Sequence, residues 1–80
     1  MSRFYFHLRS GEHVIADHEG AELPDVATAR QEALAAARQI LADAIRSGKE
    51  DIPEVFVIAD GEGHELETLP LAVVLPGRLK

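Results

Sequence analysis

Cysteine is absent, which excludes a disulfide framework and any thiolate zinc site. That absence fits a reducing cytoplasm. Long apolar runs are absent too. The run Leu71–Leu75 is far too short to span a bilayer. The N-terminus, MSRFYFHLRSG, lacks the continuous apolar core of a secretion signal. A soluble cytoplasmic protein is therefore expected, with no membrane. Basic residues are scarce: eight Lys and Arg stand against fourteen Asp and Glu, giving a net charge of −6. Phosphate binding is driven by clustered Lys and Arg, so this balance argues against nucleic acid as the main partner. Arg3 and Arg9, at either end of one strand, are a thin local basic patch. A chain of 80 residues makes one domain with a small core.

Catalytic signatures are missing as well. Ser2, Ser10 and Ser47 sit at the terminus and in turns, with no elbow motif around them. Gly61-Glu62-Gly63 has no helix after it, so it marks a hairpin and not a phosphate loop. There is no internal repeat beyond two hairpins and no low-complexity tract.

What is present is organised around Asp25–Gly48, DVATARQEALAAARQILADAIRSG. Its interior has no Gly or Pro and is rich in good helix formers. Asp25 suits the N-cap, because its carboxylate accepts from the free N–H groups of the first turn. Pro24 disfavours helix upstream by restricting Leu23. Gly48 suits the left-handed close of the helix, and Arg46 sits near the negative end of its dipole. Val26, Ala29, Ala33, Ala36, Ala37, Ile40 and Ala44 form one stripe at helical spacing, with Leu41 at its edge. Thr28, Glu32, Gln39, Asp43 and Arg46 lie opposite. A stripe of alanine lets the helix approach its partner closely. That partner is the sheet of its own domain, or alternatively a second helix in a dimer.

The flanking segments read as strands. Arg3–Arg9 alternates, with Phe4, Phe6 and Leu8 on one side and Arg3, Tyr5, His7 and Arg9 on the other. His13–Asp17 follows after a turn. With Arg9-Ser10-Gly11 as a three-residue loop, Leu8 pairs with Glu12, Phe6 with Val14, Phe4 with Ala16 and His7 with His13. Tyr5 then stands opposite Ile15. Asp17–Asp25 is an exposed acidic connector punctuated by Gly20 and Pro24. Lys49-Glu50-Asp51 is a charged turn. Glu54–Ala59 is apolar on both faces, as a central strand is. Asp60–Gly63 is a strong turn signal, and His64–Leu69 returns. With Gly63 as a bulge, Ile58 pairs with Leu66, and Glu65 and Glu67 point outward. Leu71–Leu75 is a short strand, a cover over the core's end, or a docking segment; Gly77–Lys80 should fray. The expected fold is α+β: ββαββ, a four-stranded, mostly antiparallel sheet with one long helix on one face, in two layers. Tyr5, His7, His13, Ile15, Val55 and Val57 would share the uncovered face with Glu65 and Glu67.

Three clusters suggest chemistry. His7 and His13, with Glu12 nearby, offer three ligands to a metal or a proton-transfer pair; the alternative is two exposed strand histidines. Asp17-His18-Glu19 joins acid, imidazole and acid, or is a solvated turn with Asx-type hydrogen bonds. Glu65 with Glu67, and Glu19 with Glu22, are paired carboxylates, but acid–base work needs a cleft that shifts one pKa. Tyr5 beside basic residues suggests base stacking, against which the acidic balance weighs.

Phe4-Tyr5-Phe6-His7, Asp17-His18-Glu19-Gly20, Glu22-Leu23-Pro24-Asp25 and the Ala29…Glu32-Ala33…Ala37 helix together resemble a family of short uncharacterised bacterial proteins, a group of unknown function. Its members run F-H on a first strand, D-x-E-G-x-E-L-P-D, an Ala-rich helix and a D-x-G hairpin, which Asp60-Gly61 fits. The resemblance covers nearly the whole chain and implies ββαββ and a bacterial cytoplasmic protein. It implies no activity and no cofactor. Leu23–Ala44 alone is similar to the strand-to-helix passage of HicB-type antitoxins, which bind and block a partner ribonuclease. The Gly-Cys turn after Pro-Asp is missing here and no DNA-binding segment follows, so only partner binding is implied.

The sequence therefore leads to a non-enzymatic interaction or self-associating module, with Tyr5, Ile15, Val55 and Val57 as the binding residues. The alternatives are a small metal-dependent or acid–base enzyme using His7 and His13, and an antitoxin-like inhibitor of a partner protein.

Overall fold

A computed structural model describes residues 1–48 and 52–75. The expected charged turn at 49–51 and the expected fraying of 77–80 lie outside the described residues. The elements are β1 (Ser2–Ser10), β2 (His13–Ile15), β3 (Ala21–Leu23), α1 (Val26–Ser47), β4 (Val55–Ala59), β5 (Glu65–Pro70) and a single 3-10 turn, Leu71–Val74. The α+β class holds: one long helix packs on one face of an antiparallel sheet. No helix among the described residues is long and apolar enough to cross a membrane.

The helix starts and stops where its caps require. Asp25 is the N-cap, and its Oδ1 accepts from the Thr28 backbone N–H and from the Thr28 hydroxyl, both at 2.8 Å. Gly48 closes the helix at φ 68°, its N–H reaching back to the last carbonyls. Ala29, Ala33, Ala37 and Ala44 are buried, whereas Val26 and Ala36 of the expected stripe face solvent. Ala29, Ala33 and Ala37 join Phe4, Phe56, Ile58 and Leu69 of the sheet and Leu71 of the 3-10 turn in one core cluster. The stripe is thus satisfied by its own sheet. Leu71–Leu75 acts as the cover over the end of the core. Ile58, on the central strand, has no exposed surface; burying a side chain of that size contributes about 2–3 kcal/mol. Replacing Asp25 with alanine should lower the thermal midpoint by about 5 °C, measured by circular dichroism, because the first-turn N–H loses its acceptor.

The sheet runs β2-β1-β4-β5, with β3 also paired to β1. β1 is long enough to serve two short strands on one edge: β3 pairs with residues 2–4 and β2 with residues 8–10. The strand β3 falls inside the segment expected to be a plain connector. Between Gly20 and Pro24 it is too short for alternation to register.

Two registers differ from expectation. β1 and β2 are joined by a two-residue turn in which Gly11 takes φ 60°, so Leu8 pairs with Ile15, Arg9 with Val14 and Ser10 with His13. The expected loop, Arg9–Gly11, is one residue longer and starts two residues earlier, which moves the partner of Leu8 by three residues, an odd number, and turns every β2 side chain to the other face. In the second hairpin Ile58 pairs with Glu67 and Phe56 with Leu69, with a bulge between Ile58 and Ala59. Glu67 therefore lies on the helix side, 3.3 Å from Arg30, and does not point outward. Being part-exposed, this ion pair is worth at most about 1 kcal/mol.

Candidate interaction face

Strand alternation decides which side chains lie opposite the helix. Phe4, Phe6 and Leu8 face α1, so Tyr5, His7 and Arg9 face the other way. Their partners across the β1–β4 ladder are Ala59, Val57 and Val55. Thr68 of β5 continues the row beyond Val57, and Val14 of β2 stands beside Arg9. Val57 and Ala59 are buried among these neighbours, while Tyr5, His7, Arg9 and Val55 are half-buried. The centre of this face is apolar and its rim is polar and aromatic. No described element covers it.

Tyr5 and His7 form its most ordered feature. Their ring planes lie 14° apart with centroids 6.4 Å from each other. The His7 ring is fixed from behind: its Nδ1 accepts the Asp17 backbone N–H at 3.0 Å. Arg3, two residues before Tyr5, is held by the Glu19 carbonyl at 2.6 Å and by Glu22 at 3.3 Å. Arg9 differs. Among the described residues no carboxylate lies within ion-pair distance of it.

Asp17 explains how this side of β1 is finished. Between the stretches paired with β3 and β2, the Phe6 N–H would have no strand partner. The Asp17 carboxylate fills that gap, Oδ2 accepting from Phe6 N at 3.1 Å. Its Oδ1 accepts from Glu19 N and Gly20 N, each at 3.2 Å. Burial pushes the Asp17 carboxyl up, but the backbone donors of Phe6, Gly20 and Glu19, together with His7, outweigh it and leave it below the ordinary carboxylate range. Asp25 and Asp60 are lowered in the same way, led by the Thr28 and His64 backbone N–H groups respectively. All three are carboxylates that satisfy backbone donors. Of the cluster Asp17-His18-Glu19, only Asp17 is drawn inward; His18 and Glu19 are exposed.

The sequence-derived residues separate accordingly. Tyr5, Val55 and Val57 share the uncovered face. Ile15 does not: paired with Leu8, it lies on the helix side, exposed at the wall of a cleft of about 310 Å³ also lined by Ile40, Ile52 and Pro53. His7 and His13 are not brought together, because His7 pairs with Val57 and His13 with Ser10, on opposite faces. No group of three metal-ligating side chains forms among the described residues. Sequence reasoning left out Ala59 and Thr68 from the face. Ala59 belongs to the apolar run of β4, whereas Thr68 reaches this face only because the register shifts at the bulge between Ile58 and Ala59.

Residues 3–72 match a family model described as a domain of unknown function, DUF6894. No curated protein and no solved structure matches the chain, and the similarity to HicB-type antitoxins gains nothing from these comparisons.

Proposed function

The chain belongs to the DUF6894 family, and on that premise we propose that it is a small interaction module, binding a protein partner or a second copy of itself through the sheet face opposite the helix. One observation carries this reading: a five-stranded sheet with a layer on only one side, whose other side has the buried Val57 and Ala59 at its centre and the Tyr5–His7 ring pair at its rim. An apolar centre inside a polar and aromatic rim is the anatomy of a protein-binding patch. Tyrosine supplies large contact area at small entropic cost. The contact residues are Tyr5, Val55 and Val57.

Tyr5→Glu places a carboxylate at the rim of the patch, opposite Ala59, while leaving the core side of β1 untouched. In light scattering across a concentration series, and in tagged capture from the native cell extract, this variant should lose the association that the wild-type chain shows. If both the mass and the captured proteins are unchanged in Tyr5→Glu, the face is not the interaction surface.

A further inference from the structure

We propose that His7 is a pH-sensitive latch, holding the connector between β2 and β3 by the Asp17 backbone when neutral and by the Asp17 carboxylate when charged. The latch does not depend on what binds the open face. It stands on one bond and on the charges around it. The Asp17 backbone N–H donates to His7 Nδ1 at 3.0 Å, ten residues away in the chain and half-buried. A backbone N–H can only donate, so the nitrogen it faces must offer a lone pair. A protonated imidazole carries N–H on both nitrogens and cannot accept. Proton uptake by His7 therefore breaks this bond, and turning the ring over only sets a C–H against the same donor.

The neighbours say where a charged ring goes. On its own strand His7 is flanked by Tyr5 and by Arg9, about 6.5 Å along the same side. Arg9 repels a second cation. Across the ladder stand Val57 of β4 and then Thr68 of β5, neither of which carries charge. Glu65 lies in another row, opposite Ala59, and Glu22 is engaged by Arg3. From the connector comes the Asp17 carboxylate, whose charge already couples to His7. It is anchored on β1 by the Phe6 N–H and on its own turn by Glu19 and Gly20. A charged His7 is drawn to it, while the Asp17 N–H must turn away from the new ring N–H. The grip passes from backbone to side chain, and the connector backbone moves. Because the His7 ring stacks with Tyr5, this movement reaches the rim of the open face, giving that face two forms set by pH.

The test is an NMR titration of the full labelled chain from about pH 8 to about pH 5, the range in which imidazole changes charge. In the wild type the Asp17 amide proton should move upfield in step with the His7 ring signals. Its exchange protection, corrected for the pH dependence of free-amide exchange, should fall about tenfold, as for the loss of one hydrogen bond. The Phe6 amide should keep its protection. His7→Asn sets an uncharged oxygen near the place of Nδ1, so its Asp17 amide should stay bonded at every pH. His7→Phe has no acceptor and should show the freed amide at every pH. His18, exposed beside Asp17, is a second imidazole, and His18→Gln should leave the wild-type response intact. An Asp17 amide that does not respond while His7 titrates overturns the latch. So does a response that survives His7→Asn or disappears in His18→Gln. If His7→Asn folds poorly, the wild-type and His18→Gln titrations decide.

Discussion

Replacing Gly20 with alanine should destabilise the domain by about 3 kcal/mol, read as a fall in the urea midpoint at unchanged slope. Two causes add. Gly20 has φ 68°, a conformation that costs a residue with a Cβ about 1 kcal/mol or more. A Cβ there would also stand 2.8 Å from the Phe4 carbonyl oxygen and 3.0 Å from both the Arg3 and Tyr5 side chains. Backbone cannot yield as a flexible side-chain tip does, so β3 would have to move off β1. Gly11 is the control: it has φ 60° but nothing within 4 Å of an added Cβ. Gly11→Ala should cost the conformational part alone, about 1 kcal/mol. The difference between the two variants measures the close approach, and equal costs would refute it. A domain of this length holds about 4–12 kcal/mol in all, so the Gly20 variant loses a large share. Because the contact includes the Tyr5 ring, the variant should also disturb the proposed binding face.

The helix was legible because every local signal agreed. Asp25, the alanine stripe and Gly48 all point to the same boundaries, and the structure keeps them. The central strand was legible in β4, where Val55–Ala59 is apolar on both faces and is flanked by β1 and β5. What failed was register. Ser10-Gly11 signals a turn, but its residues do not say whether the loop holds two residues or three. A loop that differs by one residue moves Ile15 from one face to the other. At the Asp60–Gly63 turn the expected register holds, with Ala59 opposite Glu65 as expected; the bulge between Ile58 and Ala59 then shifts the pairing by one residue and turns Glu67 to the helix side. Tyr5 keeps its expected side because β1 alternates along its length, and Val55 and Val57 share that side through the β1–β4 register, since β4 itself is apolar on both faces. Ile15 and His13 depended on a three-residue strand fixed only by its turn.

The Asx-type turn at Asp17 was legible, because Glu19 and Gly20 follow it directly in the chain, but its bond to the Phe6 N–H was not, because that backbone group comes from β1. The turn Asp17–Gly20 follows from the geometry of Asp17. The aspartate supplies two acceptor oxygens, one for the Phe6 strand N–H and one for the turn that leads to Gly20. This makes a conservative substitution informative. In Asp17→Asn one of those oxygens becomes an NH₂ donor. Whichever way the amide is turned, either the Phe6 N–H or the Glu19 and Gly20 N–H groups face another donor. The expected loss is about 2 kcal/mol, reduced from the fully buried figure because the carboxylate is part-exposed.

The pH dependence separates the lost charge from mere loss of shape. The Asp17 carboxyl is lowered in the folded state, so the unfolded chain takes up its proton first as pH falls. Its stabilisation is complete above the unfolded value of about 3.9 and is lost progressively below it, as the pH passes through the lower folded value. Asp25 and Asp60 share that sign, so the wild-type midpoint should fall steeply below about pH 4. Asp17→Asn should start lower at neutral pH and fall less steeply in acid, and the two curves should converge as the wild-type carboxylate is protonated. Parallel curves would mean that the Asp17 charge does not hold β1 at Phe6, and that the gap between β2 and β3 is closed by something else.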